Sequence, residues 1–284
     1  MTVTLRPIQD ADLPRVGEFL HGSMNDSLSA EQWARVAAPS WPVDAPNHGF
    51  LLDDGGRVVG AQLAFYSERA VDGGTERFCN LGAWCVEERY RFQGIRLLKA
   101  VLAQDGWTFT DLSPSGNVVP LNERLRFTHL DTASALVPCL PYPSTPGRWR
   151  IRTGAAVTEV LRGPDLELYR HHAGAAAAHH VVLSRGDRHC YVVFRRDRRK
   201  DLPVFASLLY VGDPELFASG VRVFARHLLV RHRVLVLLAE LRLVGARPLP
   251  SLRTVRNRRK MVRGLRADPA RLDYLYSELA CVPW

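Results

Sequence analysis

The chain has 284 residues, of which 46% are hydrophobic and 24% charged, and its formal net charge is +9. This composition is typical of globular proteins, and the length predicts one large domain or two of about 140 residues each. The sequence shows no secretory pattern at its start and no run of about 18 uncharged apolar residues, which argues against a membrane span. Its scattered cysteines, odd in number, predict a reducing, cytoplasmic location. The five cysteines include no CxxC pair, which argues against a disulfide framework and against a metal site.

The first predicted elements are a strand and two helices. Alternating residues at 2–8 predict the strand. Residues 10–12 provide a cap for an amphipathic helix that continues to about residue 24. Ser29 and Gln32 have the spacing of a capping box, which predicts the start of the second helix.

A three-stranded meander and a crossover helix follow. Strands are predicted at 50–53 and 57–67, on either side of an Asp-Gly-Gly turn, and a third strand at 77–86. The remaining elements of this half are a helix at 93–104, a strand at 107–112, a short helix at 117–126 and a closing strand at 127–136. This order predicts a mixed sheet covered by helices, in the α/β class with α+β character.

A proline-rich stretch divides the chain. Residues 138–147 contain four prolines and a glycine, which is typical of a domain boundary. We therefore predict a first domain at 1–137, a linker at 138–150 and a second domain at 151–284 with a basic C-terminal segment.

The second half repeats the element pattern of the first. Strand–turn–strand–strand–helix–strand occurs at about 50–112 and again at about 179–243, which predicts a degenerate internal repeat. The helix in the second copy of this pattern has a cap at Asp213 and a proline directly after it. A further helix is predicted at 269–280.

A short basic turn between a strand and a helix is the candidate anion site. The strand ends near Val86, and Arg91, Gly94 and Arg96 lie at the turn and the start of the helix. The first turn of a helix has unpaired N–H groups and a positive dipole end, which together bind phosphate groups. Gly94 permits close approach of a ligand to the backbone, and the two arginines add positive charge.

This turn resembles the acetyl-CoA loop of the GNAT superfamily, the GCN5-related N-acetyltransferases. The family pattern R/Q-x-x-G-x-G/A is matched at 91–96, and the V-x-x-x-Y-R that leads into it is found at 86–91. The sequence L-N-E-R-L-R-F at 121–127 is similar to the family's L-Y-E-x-L-G-F. The opening at 5–16 agrees as well, so that the resemblance covers about 1–135.

The resemblance implies a GNAT-like acyl-CoA N-acyltransferase fold with a splayed sheet, in two tandem domains of which the second is degenerate. It implies acetyl-CoA or another acyl-CoA as co-substrate and no metal. The acyl group would pass to an amine or hydroxyl of a small-molecule or sugar acceptor by direct attack in a ternary complex. The coenzyme-binding residues expected from the likeness are Val86, Arg91, Phe92, Gln93, Gly94, Ile95 and Arg96.

Acyl transfer to an amine requires a group that takes a proton from the attacking nitrogen. Glu76 and Glu87, near the two ends of the third meander strand, are the candidate bases. Asn122 stands where the family often has a tyrosine acid, and its amide has no proton to transfer at a useful pKa. Further candidates are Glu68, Glu88 and Asp111 as bases and Asn80 and Ser113 as groups that position the substrate or the leaving thiolate. Arg96 and Arg126 replace small residues of the family pattern.

Two other functions stay open at this point. An acyl carrier protein as donor would suit the basic surface and the departure at Arg96, and a catalytically inactive GNAT-like binding module would suit the missing tyrosine. The basic segment at 251–266 indicates a solvated surface, a protein partner or an anionic ligand. Nucleic acid is disfavoured because aromatic residues are not interleaved with these arginines. A homodimer also stays open.

Two smaller patterns carry no predicted site. The pairs His171–His172 and His179–His180 are poor chelates, because adjacent side chains on a strand point to opposite faces. In the predicted C-terminal helix, Tyr274 and Glu278 share one face. A packing or capping role is favoured over a contribution to an acceptor pocket.

Overall fold

Two seven-stranded sheets organise the chain, which a computed structural model describes over residues 3–71, 73–143, 147–199, 202–266 and 268–283. The strands are β1 (Thr4–Pro7), β2 (Gly49–Asp54), β3 (Arg57–Val71), β4 (Gly74–Val86), β5 (Thr108–Asp111), β6 (Thr128–His129), β7 (Ala133–Pro138), β8 (Trp149–Thr153), β9 (His179–Arg185), β10 (Arg188–Arg199), β11 (Leu202–Val211), β12 (Val236–Glu240), β13 (Thr254–Arg256) and β14 (Met261–Arg263). The α-helices are α1 (Leu13–Ser23), α2 (Ala30–Ala37), α3 (Gly94–Leu102), α4 (Val119–Arg124), α5 (Gly163–His172), α6 (Pro214–His232), α7 (Leu241–Val244) and α8 (Glu278–Cys281).

The chain forms two compact units, and its last part contributes to both. The N-terminal unit consists of Met1–His129, Lys260–Ala267 and Tyr276–Cys281. The C-terminal unit consists of Leu130–Arg259, Asp268–Leu275 and Val282–Trp284. Each unit therefore contains one of the two sheets.

The first five strands of each sheet follow one another in chain order, and the strand directions are the same in both sheets. The sheet of the N-terminal unit runs β1-β2-β3-β4-β5-β14-β6, and that of the C-terminal unit runs β8-β9-β10-β11-β12-β7-β13. In both, the fourth and fifth strands pair in parallel and the other described neighbours pair antiparallel. The repeated element pattern in the sequence therefore has a structural counterpart in the first five strands of each sheet, whereas the sixth strand is β14 in one sheet and β7 in the other.

The capping box predicted for the second helix is confirmed. The backbone N–H of Ser29 donates to Oε1 of Gln32 at 2.7 Å, and the N–H of Gln32 donates to Oγ of Ser29 at 3.3 Å. This reciprocal pair satisfies two N–H groups that a helix start otherwise leaves without acceptors. It fixes the beginning of α2, which packs Trp33 into the core and crosses α1 closely at Gly17.

The core of the N-terminal unit includes residues from both ends of the chain. Leu98 and Val101 of α3 pack in one cluster with Tyr66 of β3, Phe109 of β5 and Met261 of β14. Met261 has no exposed surface. Burial of a side chain of this size contributes about 1.5–3 kcal/mol, so β14 is an integral part of this unit.

Helix α6 is the long helix of the C-terminal unit, and its predicted start is confirmed. The carboxylate of Asp213 accepts a hydrogen bond from the N–H of Leu216 at 2.9 Å, and Pro214 occupies the first helical position. The helix buries Phe217 and Phe224 and ends at Arg233, which has a left-handed conformation with φ of 54°.

Three predicted elements are wrong in the structure. The closing strand at 127–136 is instead two strands, β6 and β7, which belong to different sheets. The strand predicted at 234–243 ends at Glu240 and gives way to α7. The helix predicted at 269–280 is replaced by a 3-10 turn at Pro269–Arg271 and the short α8, because Tyr276 between them adopts a positive φ of 58° that no α-helix accommodates.

The units divide at a different place from the predicted boundaries of 1–137, 138–150 and 151–284. The first unit ends at His129, before the proline-rich stretch, because β7 pairs with β12 and β13 of the C-terminal unit. The predicted linker includes residues 144–146, which lie outside the described residues. The predicted basic segment contributes β13 to the C-terminal unit and β14 to the N-terminal unit.

The partly buried His180 predicts that the C-terminal unit loses stability in acid. His180 donates from Nε2 to the carbonyl of His172 at 3.0 Å and accepts at Nδ1 from the hydroxyl of Tyr191 at 2.7 Å. Burial lowers the pKa of His180 from 6.5 to about 4, because the charged imidazolium is poorly solvated there. The unfolded chain therefore binds the proton more readily between pH 6.5 and 4, and stability decreases as the pH falls through this window.

We expect the melting temperature of wild-type protein to decrease between pH 6.5 and 4.5, and His180→Gln to reduce this decrease. Glutamine retains a donor and an acceptor but does not titrate in this range. Thermal unfolding measured at several pH values checks the expectation. An identical pH dependence in both proteins would show that His180 does not contribute to it.

Candidate active site

The sheet of the N-terminal unit opens between its two parallel strands. β4 and β5 pair only at Phe78–Thr108, Cys79–Phe109 and Asn80–Thr110. β5 ends one residue after the last pair, whereas β4 continues for six residues to Val86. The two strands therefore separate after Asn80, which leaves the backbone of the second half of β4 without a partner in β5.

A β-bulge lies on β4 just past this separation. Ala61 of β3 pairs with Cys85 and Leu63 pairs with Gly82, so β4 carries one more residue than β3 across this stretch. Ala83 adopts a positive φ of 44°. The side-chain amide of Gln62 donates to the carbonyl of Gly82 at 3.1 Å and supports the bulge from the neighbouring strand. A bulge leaves one residue outside the ladder and redirects nearby groups, as is common beside active sites.

The basic turn after β4 is more helical than the sequence predicts. Residues Glu88–Gln93 form a 3-10 helix that continues directly into α3. The N–H of Tyr90 donates to the carbonyl of Glu87 at 2.9 Å, and the N–H of Gly94 donates to the carbonyl of Arg91. At least these two amides of the turn therefore already have acceptors within the chain.

The side chains of the turn are largely exposed. Phe92 is 77% exposed, and Arg91 forms an exposed ion pair with Glu88. The guanidinium of Arg96 turns back to the side-chain oxygen of Gln93. The turn thus presents an aromatic ring and positive charge to solvent at the start of a nine-residue helix.

Gly94 is buried against the end of β4. A Cβ on Gly94 would lie 3.3 Å from Cγ2 of Val86 and 3.6 Å from the ring of Trp84. The lack of a side chain therefore brings the start of α3 close to β4. The close packing of α3 on β4 explains why residue 94 is a glycine. A need for free space above the backbone, which the sequence suggested, is not the reason that the structure shows.

A polar cluster lies where β4 and β5 separate. Asn80 donates to Oγ1 of Thr110 at 3.0 Å and accepts from the N–H of Glu278 at 3.1 Å. The hydroxyl of Ser113, just after β5, donates to Oε1 of Glu278 at 2.7 Å. Glu278 belongs to the segment Tyr276–Cys281, which we call the tail segment. The carboxylate of Glu278 has no exposed surface, whereas Ser113 is partly exposed.

The bulge and the tail segment are in contact. A Cβ on Gly82 would lie 3.1 Å from Cβ of Glu278 and 2.6 Å from the ring of Phe65. Only glycine at this position leaves room for Glu278 beside the bulge without displacing the aromatic ring. The point where the two strands separate, the bulge and the Glu278 carboxylate are therefore neighbours.

Asp111 and Asn122 form a separate pair on the other face of β5. The amide of Asn122 donates to the carboxylate of Asp111 at 2.7 Å, and both residues are buried. Burial raises the pKa of Asp111 to about 6, although the Asn122 amide and the Ser113 backbone lower it in part. Successive side chains of a strand point to opposite faces, so Asp111 faces away from the Asn80–Thr110 contact.

The two glutamates predicted as bases lie far apart. Glu76 is near the start of β4 and accepts from the hydroxyl of Thr108 at 2.6 Å, whereas Glu87 follows the end of that strand. At about 3.3 Å per residue, the strand separates them by roughly 35 Å. The hydrogen-bonded guanidinium of Arg57 lowers the pKa of Glu87, with Arg89 as a further cation nearby. Such pairing weakens Glu87 as a proton acceptor.

The opening in the sheet of the C-terminal unit is filled in a different way. β11 and β12 also pair at three positions, and the N–H of Tyr274 then donates to the carbonyl of Leu209 at 3.0 Å. Tyr274 and Arg242 both bind the buried carboxylate of Glu240. After β11, the start of α6 is occupied by the Asp213 carboxylate. A basic turn like that at 88–96 therefore has no equivalent between β11 and α6.

Sequence reasoning misses the contact between Glu278 and Ser113. The sequence indicates Asn80 and Ser113 as positioning groups, but it places Glu278 in a helix that does not form. The available signal is the polarity of Tyr276–Cys281 within an otherwise apolar end of the chain, which does not indicate a partner.

Two findings concern metals and membranes. Among the described residues, no group of three or more histidine, cysteine, aspartate or glutamate side chains is arranged to hold a metal ion. In that same part of the chain, no helix is long and apolar enough to cross a bilayer. All five cysteines are free thiols.

The fold has similar structures among known proteins, although no protein-family model and no curated protein matches the chain. Solved structures match over most of its length. A GCN5-related N-acetyltransferase from Anabaena variabilis is 12% identical, with a TM-score of 0.60 over 92% of this chain and 72% of that one. Another from Kribbella flavida is 14% identical, with a TM-score of 0.57 over 92% and 71%.

A third similar structure is a GCN5-related glucosamine N-acetyltransferase region of a fungal multi-domain β-N-acetylglucosaminidase. It is 13% identical, with a TM-score of 0.56 over 92% of this chain and 38% of that one. These likenesses confirm the predicted mixed α/β fold of the GNAT kind. At such identities they establish the fold alone, and the activity has to be argued from the site.

Proposed function

We propose that the N-terminal unit transfers an acyl group from a coenzyme A thioester to an amine, or a hydroxyl, of a small-molecule or sugar acceptor by direct attack in a ternary complex. The observation that carries the proposal is the opening between β4 and β5, with a bulge beside it and a basic turn at its end, in a GNAT-like fold. A bulge supplies backbone groups outside the ladder, and N–H groups directed at a developing oxyanion stabilise acyl transfer.

The turn at 88–96 is the proposed site for the pyrophosphate of coenzyme A. Because the amides of Tyr90 and Gly94 already have acceptors, we assign the phosphate contacts chiefly to the guanidinium of Arg91 and the positive end of α3. The ion pair of Arg91 with Glu88 is exposed and worth little, so a phosphate can replace it. Phe92, Gln93, Ile95 and Arg96 complete the proposed turn, and Val86 lies on the path of the pantetheine arm. When bound, the thioester supplies the activated acyl group.

The first test compares two arginines of the same unit. Arg91→Ala removes the proposed phosphate ligand, whereas Arg35→Ala removes an exposed arginine of α2 and changes the net charge equally. We expect sub-millimolar acetyl-CoA binding by wild type and by Arg35→Ala in isothermal titration calorimetry, and an affinity roughly 10-fold to 100-fold weaker for Arg91→Ala, because a hydrogen bond between charged groups contributes about 1.5–3 kcal/mol. Equal affinities of the two variants would contradict this assignment.

A second test uses one position with two substitutions. In Gly94→Ala the new Cβ meets only side-chain atoms, at 3.3 Å and beyond, so fold and binding should change little. Gly94→Asp extends a carboxylate from the same Cβ towards Val86 and Trp84, so it crowds the start of α3 and also places a negative charge at the helix end proposed for the pyrophosphate. We expect acetyl-CoA affinity to fall more than tenfold for Gly94→Asp relative to Gly94→Ala, measured by calorimetry at equal ionic strength with circular dichroism as the check on folding. Comparable affinities of the two variants would remove the proposed phosphate site.

The acceptor can be approached by a screen. One similar structure is a glucosamine N-acetyltransferase region, which makes amino sugars the first class to test, followed by other small amines. Thiol release from acetyl-CoA reports transfer. Release from an acyl carrier protein but not from coenzyme A would instead support the carrier-dependent alternative. Binding without transfer, over a broad acceptor panel, would support a binding module.

A further inference from the structure

We infer that Ser113 and Glu278 form a proton relay for this acyl transfer, with the partly exposed Ser113 hydroxyl at the reacting atoms and the buried Glu278 carboxylate behind it. The inference rests on the proposed function and adds the group that moves the proton. Its geometric basis is the 2.7 Å hydrogen bond that Ser113 Oγ donates to Glu278 Oε1.

The position of Glu278 is set by three separate contacts. Its N–H donates to the side-chain oxygen of Asn80, its carboxylate accepts from Ser113, and its Cβ faces Gly82. Asn80 belongs to the last pair before β4 and β5 separate, and Gly82 adjoins the bulge. The carboxylate is thereby held where an acyl group entering between the strands would meet its acceptor.

The other acidic residues fit this task less well. Glu87 is neutralised by Arg57, and Glu76 lies at the far end of β4. Asp111 has a raised pKa, but its carboxylate is engaged by Asn122 on the opposite face of β5. Glu278 alone among these is joined to a partly exposed hydroxyl at the strand separation.

Atoms and charge balance in this relay. The neutral amine nitrogen attacks the thioester carbonyl carbon and forms the new C–N bond. The nitrogen passes a proton to Ser113 Oγ while Ser113 passes its own proton to Glu278. The C–S bond then breaks, and the leaving thiolate takes a proton from Ser113, which recovers one from Glu278. The products are the amide and free coenzyme A, and both side chains return to their starting states.

The roles of the two residues differ. Ser113 is the catalytic residue because its hydroxyl meets the reacting atoms. Glu278 acts through Ser113 and is a positioning and proton-storing residue. Residues that act as one unit give non-additive losses of rate. Either single substitution should therefore remove most of the rate enhancement that the relay provides, and the double substitution should lower the rate little further.

The test measures steady-state acetyl transfer by Ser113→Ala, Glu278→Gln and the double variant, with Glu18→Gln, an exposed position on α1, as the control. We expect kcat to fall about 100-fold in each single variant and in the double variant, as is typical for loss of general acid–base catalysis. The KM for acetyl-CoA should stay within about twofold, and Ser113→Thr, which retains a hydroxyl, should recover much of the rate.

The pH–rate profile separates a relay from a merely structural contact. We expect the acidic limb of the kcat profile to be lost in Glu278→Gln and retained in Glu18→Gln. A full rate or an unchanged acidic limb in Glu278→Gln would overturn the relay while leaving the proposed function intact. Failure of wild type to bind or use any acyl-CoA would instead overturn the proposed function. If Glu278→Gln does not fold because its side chain is buried, the partly exposed Ser113→Ala decides, and an undiminished kcat there would overturn the relay.

Discussion

Replacement of Arg242 by methionine is expected to destabilise the C-terminal unit by about 3–5 kcal/mol. The side chains of Arg242 and Glu240 are 5% and 3% exposed, and their charged groups are 3.3 Å apart. Arg242 also donates to the carbonyls of Pro269 and Leu272. Methionine fills a similar volume but leaves the Glu240 carboxylate without its cation and two carbonyls without this donor.

The second member of the pair makes this prediction specific. Glu240→Gln removes the charge but keeps an oxygen that can accept from the hydroxyl of Tyr274. In the double variant with Arg242→Met no charge is left buried, so we expect part of the lost stability to return. Thermal melts give the size of the effect, and hydrogen exchange of peptides covering 236–244 and 268–275 gives its location. Equal losses in the Arg242→Met single variant and the double variant would show that the charge of Glu240 is not the cause.

Gly17→Ala is expected to destabilise the N-terminal unit by about 1–3 kcal/mol, toward the upper end of that range. A Cβ on Gly17 would lie 2.3 Å from the carbonyl oxygen of Ala30 and 3.2 Å from the N of Ala34. Both contacts are with backbone, which cannot rotate away as a side chain can. The two helices α1 and α2 would have to separate, and the packing of Trp33 would loosen.

Gly22 in the same helix is the matched control. A Cβ there meets nothing within 4 Å, so Gly22→Ala should stabilise α1 by about 0.5–1 kcal/mol through the lower conformational entropy of alanine in the unfolded chain. Chemical denaturation followed by tryptophan fluorescence, to which Trp33 contributes as one of six tryptophans, measures both variants. Equal effects of the two substitutions would contradict the assigned role of close helix packing at Gly17.

Elements with local signals are the ones that sequence can predict. The capping box at Ser29, the Asp-Gly-Gly turn before β3 and the Asp213-Pro214 start of α6 each fix a backbone conformation through neighbouring residues. β3 and β4 each have one long buried run, which the apolar residues along the strand indicate. These signals are sufficient for the GNAT-like fold class.

Elements that depend on distant partners cannot be predicted in this way. β14 consists of Met261, Val262 and Arg263 within an arginine-rich stretch, and its partners β5 and β6 are far away along the chain. Three residues carry too little periodicity to indicate a strand. The pairing of β7 with β12 and β13, in the second sheet, cannot be predicted for the same reason, since these partners are also distant in sequence.

In the candidate site too, features with a local sequence signal can be predicted and contacts between distant residues cannot. The position of the basic turn follows from its charge and its place between a strand and a helix, although its 3-10 conformation does not. The meeting of Ser113 with Glu278 depends on the left-handed backbone of Tyr276, which interrupts the helical spacing that Tyr274 and Glu278 suggest. No local pattern distinguishes such a residue from its helical neighbours.

The return of β14 to the first sheet has a consequence for biosynthesis. A ribosome releases β5 and β6 long before Met261, so the strand that bridges them is missing while Leu130–Arg259, the largest part of the C-terminal unit, is being made. At about 5–20 residues per second, this delay is on the order of ten seconds. During that time the edges of β5 and β6 are unpaired, and the apolar surface that Met261 later covers is exposed. Unpaired strand edges can pair with other chains. A nascent chain of this topology is therefore expected to depend on chaperones until translation has passed the arginine-rich segment.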